Sequence, residues 1–110
     1  MMRREQLQDL GGFVSEVPVE REVVWEKPDG ESVTFTVFVR QLPFSEFEEF
    51  AAADLSDMEK MFRFLGRTIM LDSDEGPQFM GLADAKRLNQ SLAMALVKVA
   101  QEVNGLGEKN

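Results

Sequence analysis

The sequence predicts an α+β fold: an N-terminal β-hairpin packed with one or two middle helices and a long C-terminal helix. Two observations carry this. Residues 17–40 alternate apolar and polar side chains around Lys27-Pro28-Asp29-Gly30, the period-two pattern of paired strands about a tight turn. Leu82, Ala85, Leu88, Leu92, Leu96, Val99 and Val103 recur three and four residues apart, the spacing of a helix with one buried stripe. A chain of 110 residues forms one domain, residues 1–110, with no room for a second.

The first twelve residues carry Leu7 and Leu10 and end in Gly11-Gly12. An isolated helix of one or two turns is marginal, so this end is expected to be loosely ordered. Phe13 and Val14 are expected to anchor it to the core. In the hairpin, Val19, Val23 and Trp25 share one face of the first arm. Val33, Phe35, Val37 and Val39 share one face of the second. Two strands are barely stable alone, so this sheet needs a helix on one face or another strand.

Leu42-Pro43 breaks the second arm. Ser45 and Ser56 each precede a glutamate by three residues, two capping-box signatures. The segment between Glu46 and Leu65 therefore reads either as two helices, Glu46–Ala53 and Asp57–Leu65, or as one. Asp54 and Ser56 are poor helix interiors and good caps, which favours two helices or a kinked one, ended by Gly66. Thr68–Leu71 is a candidate third strand, and Gln78-Phe79-Met80 can pair back onto it across an acidic turn. The C-terminal helix is expected to run unbroken from Leu82 to Asn104, about 33 Å, and to be followed by Gly105 in a left-handed conformation. Residues 105–110 are expected to fray.

Composition excludes much chemistry. The chain has neither cysteine nor histidine. Disulfides, thiolate nucleophiles and the commonest general base and metal ligand are thus absent. A net charge of −8 repels phosphate and argues against nucleic-acid binding. No run of about 18 apolar residues exists to span a membrane, and Glu5 to Asp9 interrupts any signal peptide, so the chain reads as cytosolic as made. Asp72-x-Asp74-x-Gly76 suggests a calcium loop, but glycine falls one position early and Ala83 occupies the twelfth position. A solvated acidic turn fits better. Six acids between Glu46 and Glu59 alternate with apolar residues and so lie on a wet face, where no carboxylate has the burial that raises a catalytic pKa. No phosphate loop or nucleophile elbow is present. Nothing calls for a cofactor, and a carboxylate-only hydrolase is the weakest reading.

The apolar side of the same segment is richer. Phe44, Phe47, Phe50, Met58, Met61, Phe62 and Phe64 fall within 21 residues. Phe47, Phe50, Met58 and Phe62 suit the core, whereas Met61 and Phe64 sit off that stripe and are expected to be exposed. Methionine and aromatic side chains favour surfaces that bind apolar partners. Phe44, Phe50, Met58, Met61, Phe62 and Phe64 are therefore candidate partner-binding residues, against the plainer reading that all fill the core. On the long helix Met94 and Val97 leave the main stripe, and they are candidates for self-association.

The order of these segments resembles the short form of the tail assembly chaperones of long-tailed bacteriophages. The resemblance runs nearly end to end. It rests on Asp9-Leu10 and Phe13-Val14, on Val23-Val24-Trp25, Asp29-Gly30 and Thr34-Phe35-Thr36-Val37 of the hairpin, and on Val39-Arg40. The acidic middle, Asp74-Glu75-Gly76-Pro77 and the closing Glu102-Val103-Asn104-Gly105-Leu106 complete it. The resemblance implies a non-enzymatic protein of the host cytoplasm. Such a protein coats the long helical tape measure protein in many copies, helps to recruit tail tube subunits and is absent from the finished tail. It also implies a longer product made by a one-base backward frameshift. If Glu108-Lys109-Asn110 is encoded GAA-AAA-AAY, the message holds the slippery run A-AAA-AAY there; a guanine at the third base of either of the first two codons removes it. An acidic DNA mimic that inhibits a nucleic-acid-binding protein is the alternative. Its basis is the net charge, and the twelve basic residues spread through the chain weigh against it.

Overall fold

A computed structural model describes residues 1–105. Residues 106–110, with most of the end expected to fray and the Glu108-Lys109-Asn110 run, lie outside the described residues. The chain forms α1 (Arg4–Asp9), β1 (Val19–Glu26), β2 (Ser32–Val39), α2 (Phe44–Ala52) and α3 (Asp57–Thr68). It continues with β3 (Ile69–Leu71), β4 (Gln78–Phe79), α4 (Leu82–Lys86) and α5 (Gln90–Val103). The four strands make one antiparallel sheet in the order β1-β2-β3-β4. The α+β class is as the sequence predicts.

The hairpin pairs Val19 with Val39 and Glu26 with Ser32. Its turn is closed by the Lys27 N–H donating to the Glu31 carbonyl at 2.7 Å. Gly30 takes a φ of +92° there, which a side chain would disfavour. Val23, Val37 and Val39 are buried and Val24, Thr34 and Thr36 are exposed, so one face of the sheet meets the core and the other meets water. The buried face packs against α5, whose Leu96, Val97 and Ala100 enter the core. The Trp25 indole N–H donates to Ser91 Oγ at 2.7 Å and fixes the start of α5 on the hairpin.

The middle segment is two helices, joined through residues 53–56. Ser56 caps α3, its hydroxyl accepting from the Glu59 N–H at 3.2 Å. The capping box expected at Ser45 does not form. The helix begins two residues earlier, at Phe44, with Pro43 at the N-cap and no side-chain cap bond. Glu46 is turned away to Arg40.

Gly66 does not end α3, which runs two residues further to Thr68. The glycine is there for contact. A Cβ on Gly66 would lie 2.8 Å from the Gly81 carbonyl carbon, and the Gly81 N–H donates to the Gly66 carbonyl at 3.2 Å. Thr68 therefore belongs to the helix rather than to the third strand. Its buried hydroxyl donates to the Phe64 carbonyl at 2.7 Å.

The unbroken helix from Leu82 to Asn104 is corrected. α4 stops at Lys86, and α5 starts afresh at Gln90 with Asn89 as its cap. The Asn89 side-chain oxygen accepts from the Ser91 N–H at 3.1 Å and its hydroxyl at 2.8 Å. These bonds draw the backbone out of the helix. Leu88 still packs on the core from the connecting turn, which is why the apolar spacing runs on across the break. With 14 residues, α5 is only about 21 Å long, against molecular extents of 56 × 37 × 33 Å. It does not cross the whole molecule. Its far end is tied down by Asn104. The Asn104 side-chain oxygen accepts from the Leu42 N–H at 2.7 Å, and its amide donates to the carbonyls of Arg40 and Ala100 at 3.2 and 2.9 Å. Gly105 follows at a φ of +71°, the left-handed turn expected past the helix.

The anchor expected at Phe13 and Val14 is also corrected. Both are exposed, and α1 buries nothing. Phe13 packs instead on its own segment, with the Arg4 guanidinium 5.0 Å above its ring.

Candidate interface

Two apolar grooves flank α3. The first, about 220 Å³, opens between α2, α3 and α5 and is lined by Phe47, Phe50, Met61 and Phe64, with Asp57, Lys60 and Gln101 at its edge. The second, about 260 Å³, lies between α3, α4 and α5. Its lining includes Met58, Met61, Phe62, Lys86, Met94 and Val97. Met61 is common to both. The structure thus brings five of the six candidate partner-binding residues to the two grooves. Three of the five, Met58, Met61 and Phe62, line the second groove together with Met94 and Val97, the pair singled out for self-association. Phe44 stands apart: it is 77% exposed at the start of α2 and lines neither groove.

Burial within these grooves differs from expectation at four positions, the first being Phe62, expected in the core but half-buried in the lining of the second groove. Phe64, expected outside, is 8% exposed and forms a floor. Met58, expected in the core, is 64% exposed and forms a lip. Met61 is half-buried between them. The cause is how α3 docks. Its C-terminal half, with Phe64, Leu65, Gly66 and Thr68, is buried, whereas its first turn buries no residue and meets α4 through the Glu59–Lys86 ion pair at its edge. Val97 is 6% exposed and belongs to the core, so Met94, at 62%, is the accessible member of that pair. Nothing in sequence spacing places α4 along the second groove; only the return of the chain through Gly81 does so.

Charge surrounds the apolar lining. The Lys86 Nζ lies 3.3 Å from Glu59 and 6.0 Å from the centre of the Phe62 ring. The Arg67 guanidinium covers Phe50 at 5.1 Å and reaches Glu49 at 3.8 Å, an exposed pair worth little by itself. Glu48, Asp54 and Asp57 are exposed around these helices.

The first turn of α2 is held by a two-pronged contact. Arg40 Nη2 donates to Glu46 Oε1 at 2.6 Å and Nη1 to Oε2 at 3.0 Å. These bonds, opposed by desolvation and helped by the arginine's charge, hold the Glu46 carboxyl below its ordinary value of 4.5. The same bonds raise the Arg40 pKa. A carboxyl whose pKa is depressed on folding stabilises the fold above its unfolded pKa, and that contribution is lost as pH falls through the lower, folded value. The variant Glu46→Gln is therefore expected to melt below the wild type near neutral pH. The gap should close on acidification below 4.5, as thermal melts across pH would record. A gap independent of pH would assign the loss to packing alone.

Among the described residues no helix is long and apolar enough to cross a membrane. The two grooves offer apolar area and shape and no reactive constellation, the equipment for binding a polypeptide. No curated protein and no solved structure matches the chain. A family model described as phage tail assembly chaperone matches residues 5–104, a span that contains both grooves and every element of the fold except the first residue of α1. By that match the chain belongs to the phage tail assembly chaperone family.

Proposed function

We propose that this chaperone binds the tape measure protein by seating its apolar helical turns in the two grooves flanking α3, without catalysing any reaction. The observation that carries the reading is Met61, half-buried where both grooves meet. Unbranched, polarisable methionine adapts to varied apolar surfaces, which suits a long helical client whose sequence changes along its length. An amphipathic helix laid in a groove would bury its apolar side chains against Phe47, Phe50, Met58 and Met94. The exposed acids around the grooves would keep the complex in solution. Several copies along one client would coat it and present it to tail tube subunits. The chaperone then acts in the host cytoplasm and leaves before the virion is finished.

Co-expression with the tape measure protein tests this. The paired substitution Met58→Glu, Met94→Glu places charges at two exposed lip positions, where changes usually cost under about 0.5 kcal/mol of stability. It is expected to reduce soluble tape measure protein about tenfold, a binding loss of about 1.4 kcal/mol, with the melting temperature nearly unchanged. Full solubility of the client with this variant would remove the grooves from the interface.

A further inference from the structure

The sheet has one short edge and one long one. β4, on one side, has two residues, and β1, on the other, has eight. The register decides which backbone groups of β1 are left over. Lys27 donates its N–H to the Glu31 carbonyl, and bonded and non-bonded pairs alternate from there along the hairpin. Val19, Arg21, Val23 and Trp25 therefore bond to β2, while Glu20, Glu22, Val24 and Glu26 turn their N–H and C=O groups to the open side. The Glu20 carbonyl accordingly accepts from its neighbour, Arg21 Nη1, at 3.1 Å. Among the described residues no other backbone segment bonds to these four. A long strand edge without proline or bulge is a template for one more strand.

The side chains choose which strand. Glu20, Glu22 and Glu26 are exposed on the water face of β1, with the exposed Val24 among them. Their partners on β2, Phe38, Thr36 and Ser32, carry no charge. Arg21 stands on the opposite face, and Lys27 pairs with Asp29 and Glu31 beyond the strand. The open edge is thus a row of carboxylates with no base on its own face. That row turns away a second copy. When two β1 edges meet antiparallel, the two registers of greatest overlap set Glu22 opposite Glu22 or Glu20 opposite Glu26, and like charges directly opposite are destabilising. A strand of the other sign gains at the same positions. We propose that the β1 edge binds an extended segment of a partner protein, one with lysine or arginine at alternate positions, which joins the sheet as a fifth strand. No residue of β1 lines either groove flanking α3, so this surface is separate from them and does not depend on what they hold.

Hydrogen exchange of the full-length chain, followed by NMR, reads this edge amide by amide. The probe is a blocked peptide as long as β1, eight residues, alternating lysine with valine; the control alternates glutamate with valine. With the lysine peptide the N–H groups of Glu22, Val24 and Glu26 are expected to exchange at least about tenfold more slowly. Those of Arg21, Val23 and Trp25, already bonded to β2, should hardly change, and the glutamate peptide should protect none. Mere attraction of a cationic peptide to a chain of net charge −8 would leave the alternate amides unprotected, and that result overturns the proposal. Protection that appears without peptide and grows with protein concentration makes a second copy the occupant and overturns it as well. Two variants sharpen the test, with peptide binding read from the fluorescence of Trp25, the single tryptophan of the chain. Val24→Pro removes an outward N–H and no bond to β2; it is expected to weaken binding at least about tenfold while the hairpin persists. Glu20→Lys with Glu22→Lys changes exposed positions only and is expected to transfer the preference to the glutamate peptide. A preference for lysine that survives this reversal overturns the proposal, whatever Val24→Pro does to the hairpin.

Discussion

Replacing Leu65 with alanine is expected to cost about 2–5 kcal/mol, the range for removing a buried leucine side chain. Leu65 is 1% exposed and among the largest fully buried side chains of the described residues. It lies on the last full turn of α3, where that helix meets α4 and α5, and it floors the second groove. A domain of this size has a total stability of about 5–15 kcal/mol, so one substitution removes a large share. The transition in urea should move to lower denaturant with little change in slope, since the surface exposed on unfolding hardly changes. A loss below about 1 kcal/mol would mean that α3 is not packed as described.

The second large effect is expected at Gly66. In an ordinary helix interior, glycine to alanine would stabilise by about 0.5–1 kcal/mol through chain entropy. Here the sign should reverse. The new methyl would stand 2.8 Å from the Gly81 carbonyl carbon and 3.0 Å from the Leu82 nitrogen. Both atoms are backbone, and Gly81 already holds a φ of +84° as the cap of α4, so neither can simply step aside. Overpacking of this kind costs about 1–3 kcal/mol. The net loss should lower the melting temperature by several degrees, at about 4–8 °C per kcal/mol. It should also pull α4 from α3 and so deform the second groove. An alanine variant that melts higher than the wild type would show that the helices do not approach so closely.

These two residues also mark how far the sequence could be read. Gly66 was legible as a helix breaker by residue type, yet it stands inside a helix. Glycine signals both a chain end and a close approach, and only the position of Gly81 tells which applies. Leu55, Met58, Phe62 and Leu65 fall three and four residues apart, a stripe on which the fold buries Leu65. That same spacing misplaced Met58, because a helix can be amphipathic along its full length and docked along only half of it. The stripe from Leu82 to Val103 hid the stop at Asn89 for a related reason. Leu88 reaches the core from a turn as readily as from a helix, and the cap that breaks the chain is a local contest between Asn89 and the backbone. Asn104, which bridges α5 to the link between β2 and α2, gave no signal beyond its place before a glycine.

The hairpin and its core-facing residues are written in the sequence, since a two-residue period about a Pro-Asp-Gly turn leaves a single face for the core. The sequence favoured a pair of middle helices or a kinked one without deciding between them, because Ser56 can satisfy a free backbone N–H at a helix start. Through the order of its segments it pointed to the family, and the absence of histidine and cysteine narrowed the chemistry before any fold was known. The tertiary structure decided which apolar residues are covered. Burial depends on which helix lies opposite, and α4 and α5 approach α3 only after the chain has returned through Gly81. That return sets Phe64 as floor, Met58 and Met94 as lips and Met61 between two grooves. It also leaves the first 17 residues outside the core, where Phe13 and Val14 stay exposed.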